Sequence, residues 1–380
     1  MRILHITDGI PPRVLGGTGR IVWETARELA RSGHETAVLS ASPNTEATVQ
    51  DGVTLLHIPV MPLRWAHYRS VWSDTRAQEI LTHIDAFKPD VIHAHTVAWQ
   101  CGYRWMHGAK ARGIPVIMTF HDVMSIAYGR VMGDEQMLWP NDIRRARWTY
   151  NPLRNHAVRN AVATCRKRLC VSDVQRAFLE QHGLKNMQTL HNGIDVSFWK
   201  PQDQKAARTS LKLPIDKPIF LLAGRLGVDK GMDIVVQTMP PDAHLIVAGS
   251  APQEAFKKLG NRFHYYHDQS AEELRTLYAA SDAVLVPSVC LDCFPTICLE
   301  AMACERPVIA TTFGGAKESV KDDETGWITD PRSQDFLQRL QWCCDHRTEL
   351  PGYGQKGRAR VTTQFALNDN VDRLEEMYRS

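Results

Sequence analysis

No stretch of this 380-residue chain approaches the roughly 18 consecutive apolar residues of a membrane-spanning helix. The opening MRILHITDG also lacks the basic, apolar and small-residue regions of a signal peptide. The expected location is therefore the cytoplasm, where the nine cysteines stay reduced and a disulfide framework is not expected. Charge of one sign is missing as well: 45 basic residues face 42 acidic ones, and a net charge of +3 makes no case for a nucleic-acid partner. The dinucleotide fingerprint is absent too. After Gly17 and Gly19 its third position is Val22, and the second strand-like run ends in Ser40-Ala41-Ser42, with no acid to hold a ribose. This argues against a nicotinamide dehydrogenase.

What is present is an α/β pattern. Short apolar, β-branched runs (RILHIT, ETAVLS, VTLLHIP, DVIHAH, PVIMTFHD) alternate with segments of helical period, which reads as a parallel sheet buried on both faces. LCVS and MQTLHNG add two strands. Residues 193–218 show no clear strand and read as a linker, and the pattern restarts with PIFLLAGR, HLIVAGS, RFHYYH, AVLVPS and PVIAT. At this length two domains are expected, with ligands at the C-terminal ends of their strands and the interdomain cleft as the default site. Ser270 and Glu273 form a predicted capping box at the start of SAEELRTLYAASD.

Four stretches carry candidate chemistry. Gly16, Gly17 and Gly19 precede a helix start, where backbone N–H groups can approach an anion; the plain alternative is a tight turn for packing. GRLGVDKG sets Arg225 and Lys230 after a strand, where a guanidinium and an ammonium could neutralise a diphosphate, or stand as a solvated charged loop. PVIMTFHD ends on His121 and Asp122, and DVIHAH ends on His93 and His95 nearby in the strand order. CLDCFPTICLEAMAC holds Cys290, Cys293, Cys298 and Cys304 beside Asp292 and Glu300. Cys298 and Cys304 are six apart on a predicted helix, so they point roughly 120° apart and suit one tetrahedral metal site poorly. Packing cysteines are the reading preferred, with Pro295 at the helix start and the acids free to bind sugar hydroxyls.

In this order and spacing, the glycine loop, the Gly33 to Glu35 segment, PDVIHAH, TFHD, HNGID, GRLGVDKG and PSVCLDCFPTICLEAMACERPVIATTFGG resemble the retaining glycosyltransferases of the GT-B fold, glycosyltransferase family 4 (group 1). The resemblance implies two doubly wound Rossmann-like domains facing across a cleft. These are an acceptor-binding domain at 1–197 and a nucleotide-sugar-binding domain at 198–365, with a terminal helix at 366–380 packing back on the first. It implies that Arg225 and Lys230 bind the donor diphosphate with the backbone at Gly16 and Gly17. Glu300 would hold the ribose and Asp292 the donor sugar. His121 would sit beside that sugar, and Phe294, Pro295, Thr296 and Ile297 would contact sugar and phosphate through their backbone. The family has glutamate where this chain has Asp292, one methylene shorter.

The expected reaction is transfer of a hexose from a nucleoside diphosphate, UDP favoured over GDP-mannose, to an acceptor hydroxyl with retention. His121, Arg225, Lys230 and Asp292 are the catalytic candidates. No carboxylate nucleophile is evident, so front-face attack is expected, with no metal or other cofactor required. The acceptor is expected to be a glycan, a lipid-linked glycan or a small molecule in surface glycan or glycolipid assembly. Between Ile143 and Cys170 stand eight basic residues and no acid, with Trp148 and Tyr150 among them, a segment suited to an anionic membrane or to a solvated helix face. The competing classes are a nucleotide-sugar epimerase and a non-catalytic metal-binding or scaffold protein.

Overall fold

Runs rich in Ile, Val and Leu become strands buried on both faces, as a parallel sheet covered by helices demands. A computed structural model describes residues 1–11, 16–133 and 138–380. The N-terminal sheet contains β1 (Arg2–Ile6), β2 (Glu35–Ser42), β3 (Thr48–Gln50), β4 (Val53–Pro59), β5 (Val91–Ala94), β6 (Val116–Phe120), β7 (Lys167–Cys170) and β8 (Met187–Thr189). Their order is β3-β4-β2-β1-β5-β6-β7-β8, with neighbours parallel except β3 and β4. The second sheet contains β9 (Ile219–Ala223), β10 (His244–Ala248), β11 (Phe263–Tyr266), β12 (Ala283–Val286), β13 (Val308–Thr311) and β14 (Gly326–Thr329), ordered β11-β10-β9-β12-β13-β14 and parallel throughout. Strand order reverses between β1 and β5 and again between β9 and β12. Loops leaving such a pair diverge and open a crevice at the strand ends, which places the chemistry-bearing loops at ligand-binding edges.

Two compact units result. The first comprises the described residues of Met1–Val131, Glu135–Gly193 and Leu367–Ser380; the second those of Met132–Asp134 and Ile194–Ala366. The chain changes unit at 193/194 rather than 197/198, because the Ile194 amide donates to the Phe365 carbonyl at 2.9 Å and so joins the second unit. The terminal helix Leu367–Arg379 carries Leu367, Val371, Leu374 and Tyr378 at steps of three and four, one face of a helix. That face packs in the first unit against Ile3, Val91, Ile117 and Leu169, each buried apolar side chain contributing about 1.5–3 kcal/mol. The second core gathers Phe220, Leu222, Leu285, Ile309 and Trp327 with Phe256 and Phe336.

Residues 193–218 are more than a linker. Asp203 accepts from the Ala206 amide and caps a helix over Gln204–Ser210. From it Arg208 reaches into the second unit, fully buried, with Nη2 2.8 Å from Asp282 Oδ2 and further donations to the carbonyls of Ala280, Ile215 and Lys217. A buried arginine satisfied this way gives no apolar signal in the sequence, which is why the helix escapes a periodicity reading.

Candidate functional site

The loops after β9 and β12 meet in the second unit. The short helical turn Val228–Lys230 ends at Gly231, whose φ of +67° is costly for other residues and whose Cβ position would lie 1.8 Å from the Pro287 carbonyl oxygen. Only glycine lets this loop approach the end of β12 so closely. The approach sets the Lys230 ammonium in an ion pair with Asp292 Oδ2, which also accepts from Ser288 Oγ at 3.1 Å. Gly314, at φ +88°, cradles Asp292 from the other side: a Cβ there would meet the Asp292 carbonyl oxygen at 2.2 Å, and the Gly315 amide donates to that oxygen at 2.8 Å. Arg225, more than half exposed, pairs with Asp229 at 2.9 Å. The cation loop and the acid loop are thus one assembly.

The helix Thr296–Ala303 begins directly after this loop. Pro295 stands at its N-cap position, one residue earlier than a first helical residue, and gives no side-chain cap, so the first-turn N–H groups keep their positive end for an anion. Ile297 is half-buried, and its Cδ1 would stand 3.2 Å from a Cβ at Gly224. The Phe294 ring is buried and lies 5.7 Å from the Phe365 ring. Glu300 is also buried and accepts from the Tyr278 hydroxyl at 2.8 Å. Cys290, Cys293, Cys298 and Cys304 are all buried, and burial pushes the Cys298 and Cys304 thiols up to about 12, the state of small packing residues rather than of thiolates.

In the first unit Gly16 is exposed and extended (φ −77°, ψ 155°) at the N-cap of the helix Gly17–Arg31. A Cβ at Gly16 would meet nothing within 4 Å among the described residues, so no packing need in them explains the glycine. His121 follows β6, and its Nε2 lies 3.1 Å from His95 Nδ1; His95 Nε2 lies 3.0 Å from His5 Nδ1. Burial lowers the pKa of His121 to about 4 and of His5 to about 3, and holds His93 and His95 well below the usual histidine value. Asp122 accepts from the Met124 amide and is raised by burial. Asp8, just past β1, accepts from the amides of Trp99, Gln100 and Cys101, yet burial outweighs them and raises it to about 6.

Sequence reasoning placed His95 near His121 but did not find His5 or Asp8. Both stand at the end of β1, and the register that pairs His5 with His93 is visible only in the folded sheet. It also missed the Lys230–Asp292 pair. Ligand nitrogens of His5, His93 and His95 lie within 4.8 Å of one another. Both nitrogens of His93 are engaged, by the Tyr378 hydroxyl at 2.6 Å and the Thr119 hydroxyl at 2.7 Å, and both of His95 by its neighbouring rings, so a cation there would have to displace these bonds.

The basic segment is corrected in part. Arg154 is fully buried, its guanidinium donating to the Met124 carbonyl and lying 4.9 Å from the Tyr128 ring centre. Arg144 and Arg147 are exposed, and so are Trp139, Ile143, Trp148 and Leu153. Trp148 packs edge-on against Trp65 at 4.7 Å, joining this segment to exposed Leu63, Arg64 and Tyr68. A cavity of about 200 Å³ lies among Trp65, His67, Tyr128, Trp148 and Tyr150. No helix of the described residues is long and apolar enough to cross a membrane.

Two doubly wound parallel α/β units, the second with paired cations and an uncapped helix start at its switch point, define the GT-B class of sugar-transferring proteins. Family models agree: Glycosyltransferase Family 4 matches residues 15–198 and Glycosyl transferases group 1 matches residues 203–359. The chain belongs to this glycosyltransferase family. It is 26% identical to D-inositol 3-phosphate glycosyltransferase 1 of Catenulispora acidiphila, over 96% of this chain and 91% of that one. With the enzyme of that activity from Mycobacterium bovis it shares 28% identity over 76% of this chain, a match that spans 61% of the relative's length. Sucrose-phosphate synthase from Thermosynechococcus elongatus superimposes with a TM-score of 0.81 at 19% identity, covering 100% of this chain and 98% of the other. HepE of Anabaena in complex with UDP gives a TM-score of 0.75 at 19% identity, covering 99% of each.

Proposed function

We propose that this glycosyltransferase moves a hexose from UDP to an acceptor hydroxyl with retention at the anomeric carbon. The observation that carries this reading is the joined loop in which Gly231 and Gly314 hold Lys230 against Asp292 beside an uncapped helix start. An ammonium has three donors, so Lys230 can keep Asp292 and still reach a phosphate oxygen, while Asp292 accepts from a sugar hydroxyl. Arg225 and the N–H groups of residues 296–297 add charge stabilisation as the diphosphate leaves. Gly16 and Gly17 give their backbone to the same anion, Glu300 holds the ribose, and His121 donates to the donor sugar. The departing phosphate oxygen takes the acceptor's proton on the face it leaves, so no enzyme carboxylate need attack. These cations supply the charge a divalent ion would bring, so activity should survive a chelator. UDP is preferred because a structural neighbour of the same fold holds it.

The acceptor reading is a lipid-linked or surface glycan met at a membrane. It is supported by the exposed aromatic and arginine patch around Trp65 and Trp148, whose residue types favour an anionic lipid interface. A second reading, a phosphorylated polyol, is favoured by the names of the relatives. Sedimentation with vesicles of anionic or zwitterionic lipid at low salt separates them: binding to anionic vesicles that Trp148→Ser weakens supports the first, and no binding leaves the second. For the reaction itself, NMR of the product made from UDP-hexose should show the donor's anomeric configuration. An inverted product, or conversion of the donor without acceptor as an epimerase would give, overturns the proposal.

A further inference from the structure

One face of the N-terminal sheet changes character along its strands. Ile3, Val91 and Ile117 lie in the apolar cluster under the terminal helix. Two residues further along each strand come His5, His93 and Thr119, and two further again His95 and His121. Parallel register sets His5 beside His93, and His93 beside Ile117. The result is a ladder of rings climbing from the core to the strand ends. His5 stacks on His95 with centres 5.3 Å apart and planes 13° apart, and His95 on His121 at 5.4 Å and 30°. The nitrogens connect in series: His5 Nδ1 to His95 Nε2 at 3.0 Å, then His95 Nδ1 to His121 Nε2 at 3.1 Å.

A neutral imidazole carries one N–H and one lone pair, so three neutral rings bonded in series must all point their protons the same way. Burial keeps these rings neutral near pH 7. Two directions are available. Running from core to edge, His5 Nδ1–H donates to His95, His95 Nδ1–H donates to His121 Nε2, and His121 carries its proton on Nδ1. Running from edge to core, His5 must hold an N–H on Nε2. That atom is buried and has no hydrogen-bond partner among the described residues. A buried N–H without an acceptor is the rarer and costlier outcome; a bare acceptor is better tolerated.

We propose that His5 and His95 are positioning residues that fix His121 as its Nδ1-protonated tautomer, so that the nitrogen His121 keeps for a substrate is a hydrogen-bond donor. His93 stands apart from the chain, held by Tyr378 of the terminal helix and by Thr119, and serves as the wall against which His95 packs, with ring centres 4.0 Å apart. The kinetic consequence rests on the reading of His121 as a contact of the donor sugar; the tautomer does not.

The test uses the full chain labelled with ¹⁵N in its histidines, with His121 assigned by the signals lost in His121→Ala. The expected spectrum has His121 Nδ1 protonated and Nε2 bare, near pH 7. A protonated Nε2, or an even mixture of tautomers, would overturn the proposal. His95→Leu removes the donor to His121 and should let its tautomers mix, whereas His95→Gln, which offers one acceptor and one donor, should restore the Nδ1 form and recover most of a roughly tenfold loss of kcat at little change in KM. His121 keeping one tautomer in His95→Leu would sink the relay. If His95→Leu does not fold, His5→Leu, two rings from the edge, makes the same comparison. Full turnover in His121→Ala would refute the substrate contact while leaving the tautomer result to stand or fall alone.

Discussion

Acid should weaken the N-terminal unit at a pH where ordinary carboxylates are still ionised. His5 and His121 are held neutral by burial, at about 3 and about 4, against 6.5 for an ordinary histidine. The folded values lie below the unfolded ones, so the stability these rings carry is intact above about pH 6.5 and is lost as pH falls toward the folded values. One unit below the ordinary value, near pH 5.5, an unfolded ring is about nine-tenths protonated and each buried ring withdraws about 1.4 kcal/mol, or roughly 3 kcal/mol for the two. His93 and His95 shift in the same direction and deepen the loss. Asp8 opposes it: its value is raised to about 6, so the folded state gains a proton first and recovers about 1 kcal/mol by the same pH. Asp122 is raised by burial as well and acts in the same sense as Asp8, which leaves a net loss of about 2 kcal/mol of a stability that is typically about 5–15 kcal/mol. Urea unfolding at pH 7.5 and 5.5, read by hydrogen exchange of N-terminal amides because the units need not unfold together, gives the slope. In His5→Leu the pH dependence should shrink by about 1.4 kcal/mol. An unchanged slope would refute the assignment of acid sensitivity to these rings.

Other perturbations have separate readouts. Arg208→Ala removes the fully buried partner of Asp282, which keeps the Ile219 amide, Gln204 and Arg347, and should cost about 3 kcal/mol by denaturant unfolding; a loss below about 1 kcal/mol would show that the remaining partners compensate the charge. Gly314→Ala meets both a strained φ of +88° and the Asp292 carbonyl, so about 1–3 kcal/mol of strain falls on the acid loop and the KM for the donor should rise; unchanged donor kinetics would uncouple that loop from binding. Arg225→Ala and Lys230→Ala should each lower kcat about a hundredfold, as loss of one charge-stabilising donor does elsewhere, and intact turnover in both would remove the phosphate assignment.

The alternation of strands and helices was legible because strands covered on both faces must be apolar throughout. The glycine-spaced loops were legible because close backbone approach leaves glycine few substitutes. Interactions made across the sheet were not. His5 reads as one histidine in a strand until register sets it beside His93, and Lys230, read as a diphosphate ligand or a solvated charge, shows no tie to Asp292 until Gly231 brings its loop onto Pro287. Arg208, inside the stretch read as a linker, and Arg154, one of the eight basic residues, are both buried, each donating to backbone carbonyls. Asp292, expected as a sugar contact, is already tied to Lys230, so its shorter arm concerns the placement of a cation as well as the choice of sugar.

The central claim is that the second unit grips a nucleoside diphosphate through Arg225 and Lys230. Thermal unfolding of the full chain with UDP, UMP and UDP-hexose tests it most directly, because a ligand of the folded state at about a hundred times its Kd adds about 2.7 kcal/mol. UDP and UDP-hexose should raise the Tm well above the shift given by UMP, and Arg225→Ala/Lys230→Ala should abolish the difference. Equal shifts for UDP and UMP, or a double variant that responds like the wild type, would contradict the account.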